Sequence, residues 1–448
     1  MISRLSFPVS SSFFGSNYTS NFTRILFASK QHRSASSNIQ LNEVVIVSAI
    51  RTPIGSFRGS LSSIPAAKLG ATAIKACLEQ AKVPANCVQE VYMGNVLQAG
   101  VGQAPARQAV IYAGLPKDTL CTTVNKVCAS GMKAIMMASQ SLMCGHQDVM
   151  LAGGMESMSN VPYYFPRGET SYGSFQMEDG IAKDGVTDAY DQISMGACAE
   201  KTAKTEGLSR EDQDVYAKRS YERTIKAWKE GIFKDEIIPI TVTTKKNETV
   251  VDQDEEFKKV NFEKMKTMKS FFVQNGTITV ANASKMSDGA AVCLLMTRQA
   301  VDALGCKPLA RVVAFADAET NPIDFSIAPT MAISKLLKMV NVNKDDIAMW
   351  EVNEAFSAVA LVNAKLLGIS QDKLNIHGGS VGLGHPFGMS GARLVVHLCH
   401  SLKKGEKGVA GICNGGGGAS IVSLTKHLID VDVHEAMITA RKASSRCK

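Results

Sequence analysis

Two segments far apart in the chain carry the same pattern, and this repeat restricts the fold more than any other feature. Residues 128–134 and 385–392 each place Gly three positions and Met four positions after their first residue. Each segment opens a mostly apolar run that fits a helix, and each run leads through a Gly (Gly145 or Gly405) into a strand-like segment. These shared features indicate an internal duplication, although two Gly-rich helix starts can also resemble each other by chance.

Both repeated helices are apolar on nearly every side, so each must be surrounded by other parts of the protein. A layer of helices held between two sheets would bury them in this way. The predicted strands are short, continuous apolar runs, as expected for strands buried on both faces: residues 44–47, 149–152, 288–295, 311–314, 408–411 and 420–423. Helical patterns such as residues 66–81 and 332–339 lie between them, and this alternation predicts an α/β fold.

The repeats define two halves of one folded unit, and a segment of different texture interrupts the first half. We predict an N-terminal half over residues 41–160 and 283–305 and a C-terminal half over residues 306–428. Residues 161–282, which are richer in charges and aromatics, form an inserted loop domain in this interpretation. Residues 429–448 form a tail without a core signal.

The first forty residues have the composition of a targeting segment. They contain no Asp or Glu, eleven Ser, and four basic residues: Arg4, Arg24, Lys30 and Arg33. This composition predicts a mitochondrial transit peptide over residues 1–40, and a disordered arm without a targeting role is the alternative. Since four of the 49 basic residues lie here, 45 basic and 41 acidic residues remain, and the mature protein is nearly neutral.

Charge and composition exclude several classes of protein. No block of basic residues with interleaved aromatics is present, so nucleic acid is not an expected partner. No apolar run reaches the roughly 18 residues that a transmembrane segment needs. Eleven Cys without a C-x-x-C motif indicate reduced thiols rather than disulfides or a zinc site.

Cys128 lies at the predicted start of the first repeated helix. Unpaired backbone N–H groups and the helix dipole are expected to lower the pKa of a thiol at this place. A lone Cys among small residues is more often a buried apolar residue. If the repeats pair about a pseudo-twofold axis, however, the two helix starts converge and bring Cys128 against His385. A thiol facing an imidazole is an activated nucleophile.

Two further segments could hold a ligand oxygen. Cys413 is followed by Asn and four consecutive Gly, whose backbone can adopt positive φ and direct N–H groups at an anion. A plain flexible turn is the alternative. Asn353 follows a strand-like run, where its side chain could hold a water or a carbonyl oxygen, or cap the next helix.

Together these segments resemble the signature motifs of the thiolases. The matching blocks are residues 124–131 (VNKVCASG), 353–356 (NEAF), 382–386 (GLGHP) and 413–417 (CNGGG), in the family's order and spacing. The resemblance extends from about residue 43 to residue 428. It implies a five-layered α-β-α-β-α sandwich built from two duplicated halves, a homotetramer, and coenzyme A thioesters as substrates. Residues 153–159 and 282–284 are most similar to mitochondrial members that handle acetoacetyl-CoA, which implies the mitochondrial matrix as the location.

The resemblance implies reversible condensation of two acetyl-CoA molecules to acetoacetyl-CoA and CoA, with thiolytic cleavage as the reverse, in ketone-body, fatty-acid and isoleucine metabolism. Cys128 would attack the first thioester and His385 would accept its proton. Cys413 would then remove a proton from the methyl group of the second acetyl-CoA. Each half-reaction needs an oxyanion site. His385 with a water held by Asn353 would form one, and the N–H groups of Cys128 and Gly415 the other.

The family's binding positions, carried over to this chain, give two more sets of residues. Contacts to CoA are implied at Tyr221, Lys259, Val260, Asn261, Lys264 and Ser284. Lys259 and Asn261 stand where the family usually has Arg and Asp, and a Lys in such a charged run is otherwise a solvated surface residue. A potassium ion is implied at Tyr221, Val280, Ala281, Ala283 and Val381, with Val280 in place of the usual Ala.

The resemblance also bears on which acyl groups the protein accepts. Members that cleave 2-methylacetoacetyl-CoA carry a Phe-Pro pair near the acyl group, and this chain has Phe325 followed by Ser326. We expect the branched substrate still to be cleaved, because the Phe forms the wall. The alternative functions are a longer-chain 3-ketoacyl-CoA thiolase and a catalytically silent acyl-binding protein. A condensing enzyme that uses acyl carrier protein is disfavoured, since such enzymes lack a second catalytic Cys.

Overall fold

The computed structural model describes residues 41–168, 172–243 and 247–426 of the 448-residue chain. The predicted transit peptide (residues 1–40) and C-terminal tail (residues 429–448) lie outside these residues. No helix within the described ranges has both the length and the apolar character needed to cross a bilayer.

The strands form one large mixed sheet and two short two-stranded sheets. In chain order they are β1 (Val44–Arg51), β2 (Gly55–Ser56), β3 (Glu90–Gly94), β4 (Leu120–Val124), β5 (Val149–Ser157), β6 (Tyr163–Tyr164), β7 (Glu178–Asp179), β8 (Ile240–Thr243), β9 (Glu248–Val251), β10 (Ser287–Thr297), β11 (Ala310–Glu319), β12 (Ile347–Val352), β13 (Lys407–Asn414) and β14 (Gly418–Lys426). All six predicted strands are present, and each is longer than the apolar run that predicted it.

The α-helices in chain order are α1 (Ala66–Ala81), α2 (Pro105–Tyr112), α3 (Ser130–Met143), α4 (Met195–Glu206), α5 (Arg210–Lys229), α6 (Phe262–Thr267), α7 (Arg298–Leu304), α8 (Ala328–Val340), α9 (Ser357–Leu367), α10 (Ser380–Leu383) and α11 (Phe387–Ser401). The two repeated helices are α3 and α11. Each begins two residues after the first residue of its repeat, as the duplication predicts.

The large sheet runs in the order β12-β13-β14-β11-β1-β10-β5-β3-β4, with β2 added on β10. The sequence predicted a layer of helices between two sheets. The structure joins them where β1 pairs with β11, through only two residue pairs: Val45 with Arg311 and Ile46 with Ala310. Because this link is so short, the two halves of the sheet can lie on either side of the same helices.

Five layers result, as predicted. Helices α3 and α11 pack against each other and against strands of both halves of the sheet, so they form the middle layer. Alternate residues of each strand point to this layer and to the outer ones. In β10, for example, Cys293 faces the α3/α11 core whereas Leu294 joins the core beneath α1 and α2. Helices α8 and α9 cover the other half of the sheet.

The two middle helices approach each other through glycines. A Cβ on Gly131 would lie 2.5 Å from the carbonyl oxygen of Gly388, and a Cβ on Gly391 would lie 2.7 Å from the Cβ of Met132. Gly131 and Gly388 occupy equivalent positions in the two repeats. Their contact is the close, symmetric crossing that a pseudo-twofold axis requires, and it brings the two helix starts together.

The segment between β5 and β10 is held to the sheet by a buried ion cluster. The Arg51 side chain at the end of β1 lies 2.6 Å from Glu236 and 2.7 Å from Asp254, and all three side chains are fully buried. A buried guanidinium is tolerated only when its partners satisfy it, so this cluster fixes where the inserted segment meets the core.

Candidate active site

Cys128 lies on a strained turn between β4 and α3. The preceding residue, Val127, has φ of +46°, which is rare for a β-branched side chain. The turn is held by its neighbours: Val127 N–H donates to Asn125 Oδ1 (3.0 Å), and Ser130 Oγ accepts from Lys126 N–H (2.8 Å) and donates to the Val127 carbonyl (2.5 Å). Strain that the surroundings impose in this way presents the thiol in one fixed position.

The Cys128 thiol is protonated at rest. Burial raises its pKa to about 12, although the N–H groups of Gly415 and of Cys128 itself lie against the sulfur and oppose the shift. The sequence-based expectation of a lowered pKa is therefore wrong. The reason is that desolvation of the sulfur outweighs the N–H groups at the helix start. A base must remove the proton when Cys128 reacts.

His385 can supply that base. Its Nδ1 lies 2.6 Å from Ser390 Oγ, and Ser390 itself donates to the Pro386 carbonyl at 2.8 Å. Since the hydroxyl proton is directed at Pro386, Nδ1 carries the hydrogen of the imidazole and Nε2 is the proton acceptor. Nε2 is buried and has no hydrogen-bond partner among the described residues. Burial, with a smaller effect of Arg393, lowers the pKa of His385 to about 3, so the ring is neutral.

Asn353 follows β12 and is fully buried. Its Oδ1 accepts from Ser380 Oγ at 2.6 Å, which fixes the orientation of the amide. The Nδ2 group is buried without a hydrogen-bond partner in the described part of the chain. A donor left unpaired in this way suits a water or a substrate oxygen better than a packing role.

Cys413 is the last residue but one of β13, and its side chain is buried. Its sulfur is close enough to Cys128 that ionisation of one thiol opposes ionisation of the other, and burial raises the pKa of Cys413 strongly. The glycine loop that follows has φ of +86° at Gly416 and +90° at Gly417. This backbone confirms the expected positive φ and turns the Gly415 N–H toward the Cys128 sulfur.

Cys128, His385 and Gly415 line one cavity of about 430 Å³. Most of its wall is apolar, and the aromatic part consists of Phe57, Phe271, Phe272, Phe325, Phe356 and Phe387. Such a wall suits a small acyl group and excludes water from it. The structure thus brings two predicted reacting groups, Cys128 and His385, and the N–H group of Gly415 to one cavity, and the Cys413 thiol interacts with that of Cys128.

The predicted CoA positions are divided between the cavity and the surface. Ser284 lines the cavity, whereas Tyr221 is buried beside Val260. Lys259 and Lys264 are exposed, and Lys259 Nζ lies 3.3 Å from Glu256. Asn261 has a structural role, because its Oδ1 accepts from Lys264 N–H (2.9 Å) and caps α6.

The predicted potassium positions do gather in one place, but an ammonium group lies among them. Val280 and Ala283 line the cavity, and Ala281 and Val381 pack with Tyr221. Lys285 Nζ donates to Tyr221 Oη at 3.0 Å and to the Ala283 carbonyl at 2.6 Å. Burial lowers the pKa of Lys285 to about 8, so it is mainly charged at neutral pH. These residues therefore do not fit a potassium ion.

Sequence reasoning missed three residues that the structure adds. Ser390 orients His385, Ser380 orients Asn353, and Lys285 occupies the predicted cation position. Lys285 directly follows the Asn-Ala-Ser motif at residues 282–284, so its proximity to the site could have been noticed. The two Ser residues carry no sequence signal, since their roles depend on which side chain they face.

Models of the thiolase N-terminal and C-terminal domains match residues 44–299 and 306–426. This chain belongs to the thiolase family. The mitochondrial acetyl-CoA acetyltransferase of Mus musculus is 62% identical to this thiolase over 396 residues, which cover 88% of this chain and 93% of the relative.

Solved thiolase structures are similar to this chain in sequence and in fold. The Acat5 thiolase of Ascaris suum in complex with coenzyme A is 44% identical, with a TM-score of 0.83, and the match covers 86% of this chain and 100% of that one. Human mitochondrial 3-ketoacyl-CoA thiolase is 36% identical, with the same TM-score and the same coverage of both chains. The predicted family and fold are confirmed.

Proposed function

We propose that the protein is an acetyl-CoA C-acetyltransferase that interconverts two acetyl-CoA molecules with acetoacetyl-CoA and CoA. The observation that carries the proposal is the shared cavity of Cys128 and the unpaired His385 Nε2, with the second thiol of Cys413 beside Cys128. The 62% identity to a mitochondrial acetyl-CoA acetyltransferase supports the acetyl group as the unit transferred.

In the first half-reaction, His385 Nε2 accepts the Cys128 proton while the sulfur attacks the thioester carbonyl. A neutral imidazole is needed for this step, and burial keeps the His385 ring neutral. The C–S bond to CoA then breaks, and the leaving thiolate takes a proton from Cys413. Burial raises the pKa of Cys413, so this thiol still carries the proton that it passes to the leaving thiolate. The products are acetyl-Cys128, free CoA and a Cys413 thiolate.

In the second half-reaction, the Cys413 thiolate removes a proton from the methyl group of a new acetyl-CoA. The resulting carbanion attacks the acetyl carbonyl on Cys128, a C–C bond forms, and the bond to sulfur breaks. The Cys128 thiolate recovers its proton from the His385 imidazolium. Protons and electrons balance over the cycle, and the same steps in reverse cleave acetoacetyl-CoA with CoA.

Both half-reactions place negative charge on a carbonyl oxygen. The N–H groups of Cys128 and Gly415, which already converge on the sulfur, are suited to the oxygen of the acetyl-enzyme. The Nδ2 group of Asn353, through a water, and the imidazolium of His385 are suited to the enolate of the second thioester.

We assign CoA binding to the cavity mouth near Ser284, with exposed Lys259 and Lys264 available to phosphate groups and Tyr221 and Val260 supporting that surface. Asn261 acts through the α6 cap.

The proposal also covers the cellular location and the oligomeric state of the protein. Relatives named as mitochondrial support a mitochondrial protein, and we assign it to the matrix, with residues 1–40 removed as a transit peptide. The domain division is proposed as predicted, with residues 161–282 as the CoA-binding insertion. We infer a homotetramer, because β4 lies at the edge of the sheet with Leu120 exposed, and because exposed aromatics such as Tyr163 and Phe175 lie on the insertion.

Initial rates of CoA-dependent cleavage test the proposal. Acetoacetyl-CoA should be cleaved with the highest kcat/KM and 3-ketohexadecanoyl-CoA far more slowly, because the aromatic wall leaves room for a short acyl group. A preference for the long substrate would favour a longer-chain 3-ketoacyl-CoA thiolase. Failure to cleave any of these substrates, or to be labelled by radioactive acetyl-CoA, would favour a silent acyl-binding protein.

A further inference from the structure

We propose that the ammonium group of Lys285 takes the place of the potassium ion in this thiolase, so that the protein carries its own cation at this site. Two of the predicted potassium ligands, the Tyr221 hydroxyl and the Ala283 carbonyl, accept hydrogen bonds from Lys285 Nζ at 3.0 and 2.6 Å. These are also distances at which oxygens surround a potassium ion, and the two cations are similar in size and charge.

A potassium ion and this ammonium group exclude each other. An ion bound to the same two oxygens would lie in the space that Nζ occupies, and two like charges in contact repel strongly where water is scarce. Lys285 is partly buried on the wall of the cavity, whereas Tyr221 and Ala283 are almost fully buried. The Lys285 side chain therefore occupies the space in which a potassium ion would bind.

The surrounding charges favour a cation at this place. The carboxylates of Glu256 and Glu354 both favour the charged form of Lys285. Glu354 is fully buried and accepts hydrogen bonds from neutral groups: the Tyr216 and Ser220 hydroxyls, the Asn375 amide and the Val381 N–H. Since all of these donors are neutral, a positive charge nearby stabilises the Glu354 carboxylate.

The segment that holds this cation also positions the catalytic base. The Lys285 carbonyl accepts from His385 N–H at 2.8 Å, and Ser284 N–H donates to the Ala355 carbonyl at 3.1 Å. A cation that binds the Ala283 carbonyl from the other side fixes the backbone between these two contacts. Loss of the cation should therefore loosen the loop that carries His385, between α10 and α11, without removing any reacting group.

Lys285→Ala should open the site and restore a need for potassium. At pH 7 and equal ionic strength, we expect the Tm of the unaltered protein to be the same in KCl and NaCl. We expect Lys285→Ala to be less stable in NaCl and to regain at least about 2 °C in KCl, with a several-fold rise in kcat/KM. Lys285→Met fills the same space without charge, so it should be destabilised and should not respond to potassium.

Two controls make the result specific. Lys338→Ala removes an exposed ammonium from α8 and should respond to neither salt. In crystals soaked with rubidium, a heavier ion of the same kind, Lys285→Ala should show an anomalous peak between Tyr221 Oη and the Ala283 carbonyl, and the unaltered protein should show none.

Three outcomes would overturn the inference. The first is stabilisation of the unaltered protein by KCl, with a rubidium peak beside Lys285. The second is an equal Tm of Lys285→Ala in the two salts. The third is a potassium response of Lys285→Met as large as that of Lys285→Ala. The Tm and crystal readouts do not depend on the acetyl-transfer activity. If neither variant folds, a potassium response or a rubidium peak in the unaltered protein would still contradict the inference.

Discussion

The imidazole of His385 and the hydroxyl of Ser390 form a hydrogen bond of 2.6 Å from Nδ1 to Oγ. Because the Ser390 hydroxyl donates its hydrogen bond to the Pro386 carbonyl, it accepts one from the imidazole, so the ring hydrogen lies on Nδ1 and Nε2 is the acceptor. His385 precedes α11 and Ser390 lies in its first turn, so the start of the repeated helix sets the tautomer of the catalytic base.

Ser390→Ala should slow the acetyl transfer while leaving the protein folded. Without the hydroxyl, His385 can rotate or adopt the other tautomer, and we expect kcat to fall about tenfold or more. Ser139→Ala is a matched control, since Ser139 in α3 donates to the Ile135 carbonyl one turn earlier at 2.8 Å and touches no reacting group. An unchanged kcat in Ser390→Ala would show that the hydroxyl does not orient the imidazole.

The pH dependence of thiolysis should lack the ordinary titration of a histidine. The pKa of His385 is lowered to about 3, so its neutral, proton-accepting form persists as the pH falls. We expect kcat/KM for acetoacetyl-CoA to show no loss with an apparent pKa near 6.5, measured down to about pH 5. An acid limb near pH 6.5 that moves in Ser390→Ala would contradict the lowered pKa.

The same shift has a consequence for stability. Below about pH 6.5 the unfolded chain binds a proton at this His and the folded protein does not, so the free energy of unfolding should decrease as the pH falls toward 3. Circular dichroism at each pH separates loss of the fold from loss of catalysis.

Gly131→Ala should destabilise the whole fold. The added Cβ would lie 2.5 Å from the Gly388 carbonyl and 3.1 Å from the Ala392 Cβ, so the two middle helices must separate. We expect the free energy of unfolding to decrease by about 1–3 kcal/mol, measured by denaturant unfolding. Gly168→Ala is the control, because a Cβ there would meet nothing within 4 Å. Equal stabilities of the two variants would mean that the helices do not cross as closely as described.

Much of this architecture was predictable from the sequence, because the helices and strands of the core are buried on every side. Apolar periodicity predicted α1 with its observed bounds, and the repeat predicted that Cys128 and His385 converge. By contrast, β4 was missed, since it lies at the sheet edge and alternates between exposed and partly buried residues. Its pattern, Leu-Cys-Thr-Thr-Val, contains too few apolar residues to be recognised.

The electrostatics of the site could not be predicted in the same way. A pKa depends on how much water and which charges surround a group, and these are tertiary properties. The helix start predicted a lowered pKa for Cys128, but burial of the sulfur reverses the direction. Likewise, the resemblance supplied potassium ligands, whereas the placement of the Lys285 ammonium among them appears only when the chain is folded.

Ser326→Ala should preserve the acyl pocket. Phe325 is buried and packs edge-on against Phe356 with ring centres 6.5 Å apart, so its position does not depend on the neighbouring hydroxyl. The Ser326 Oγ is itself buried without a hydrogen-bond partner among the described residues, and its removal should keep or slightly raise the Tm.

The measurement for this pocket is the ratio of kcat/KM for 2-methylacetoacetyl-CoA to that for acetoacetyl-CoA. We expect both the unaltered protein and Ser326→Ala to cleave the branched substrate, with ratios that agree within about threefold. Phe325→Ala should shift the ratio toward the larger substrate. No detectable cleavage of the branched substrate in any of the three proteins would show that another part of the cavity limits it.

The division of work between the two thiols is the central claim, and labelling with radioactive acetyl-CoA tests it most directly. Cys413→Ala retains the nucleophile and its base, so it should be acetylated on Cys128 but should fail to form acetoacetyl-CoA. Acetylation should be slower than normal, because the proton donor for the leaving CoA is gone. Cys128→Ala should take up no label and show no turnover. Labelling of Cys128→Ala on Cys413, or full condensation by Cys413→Ala, would contradict the account.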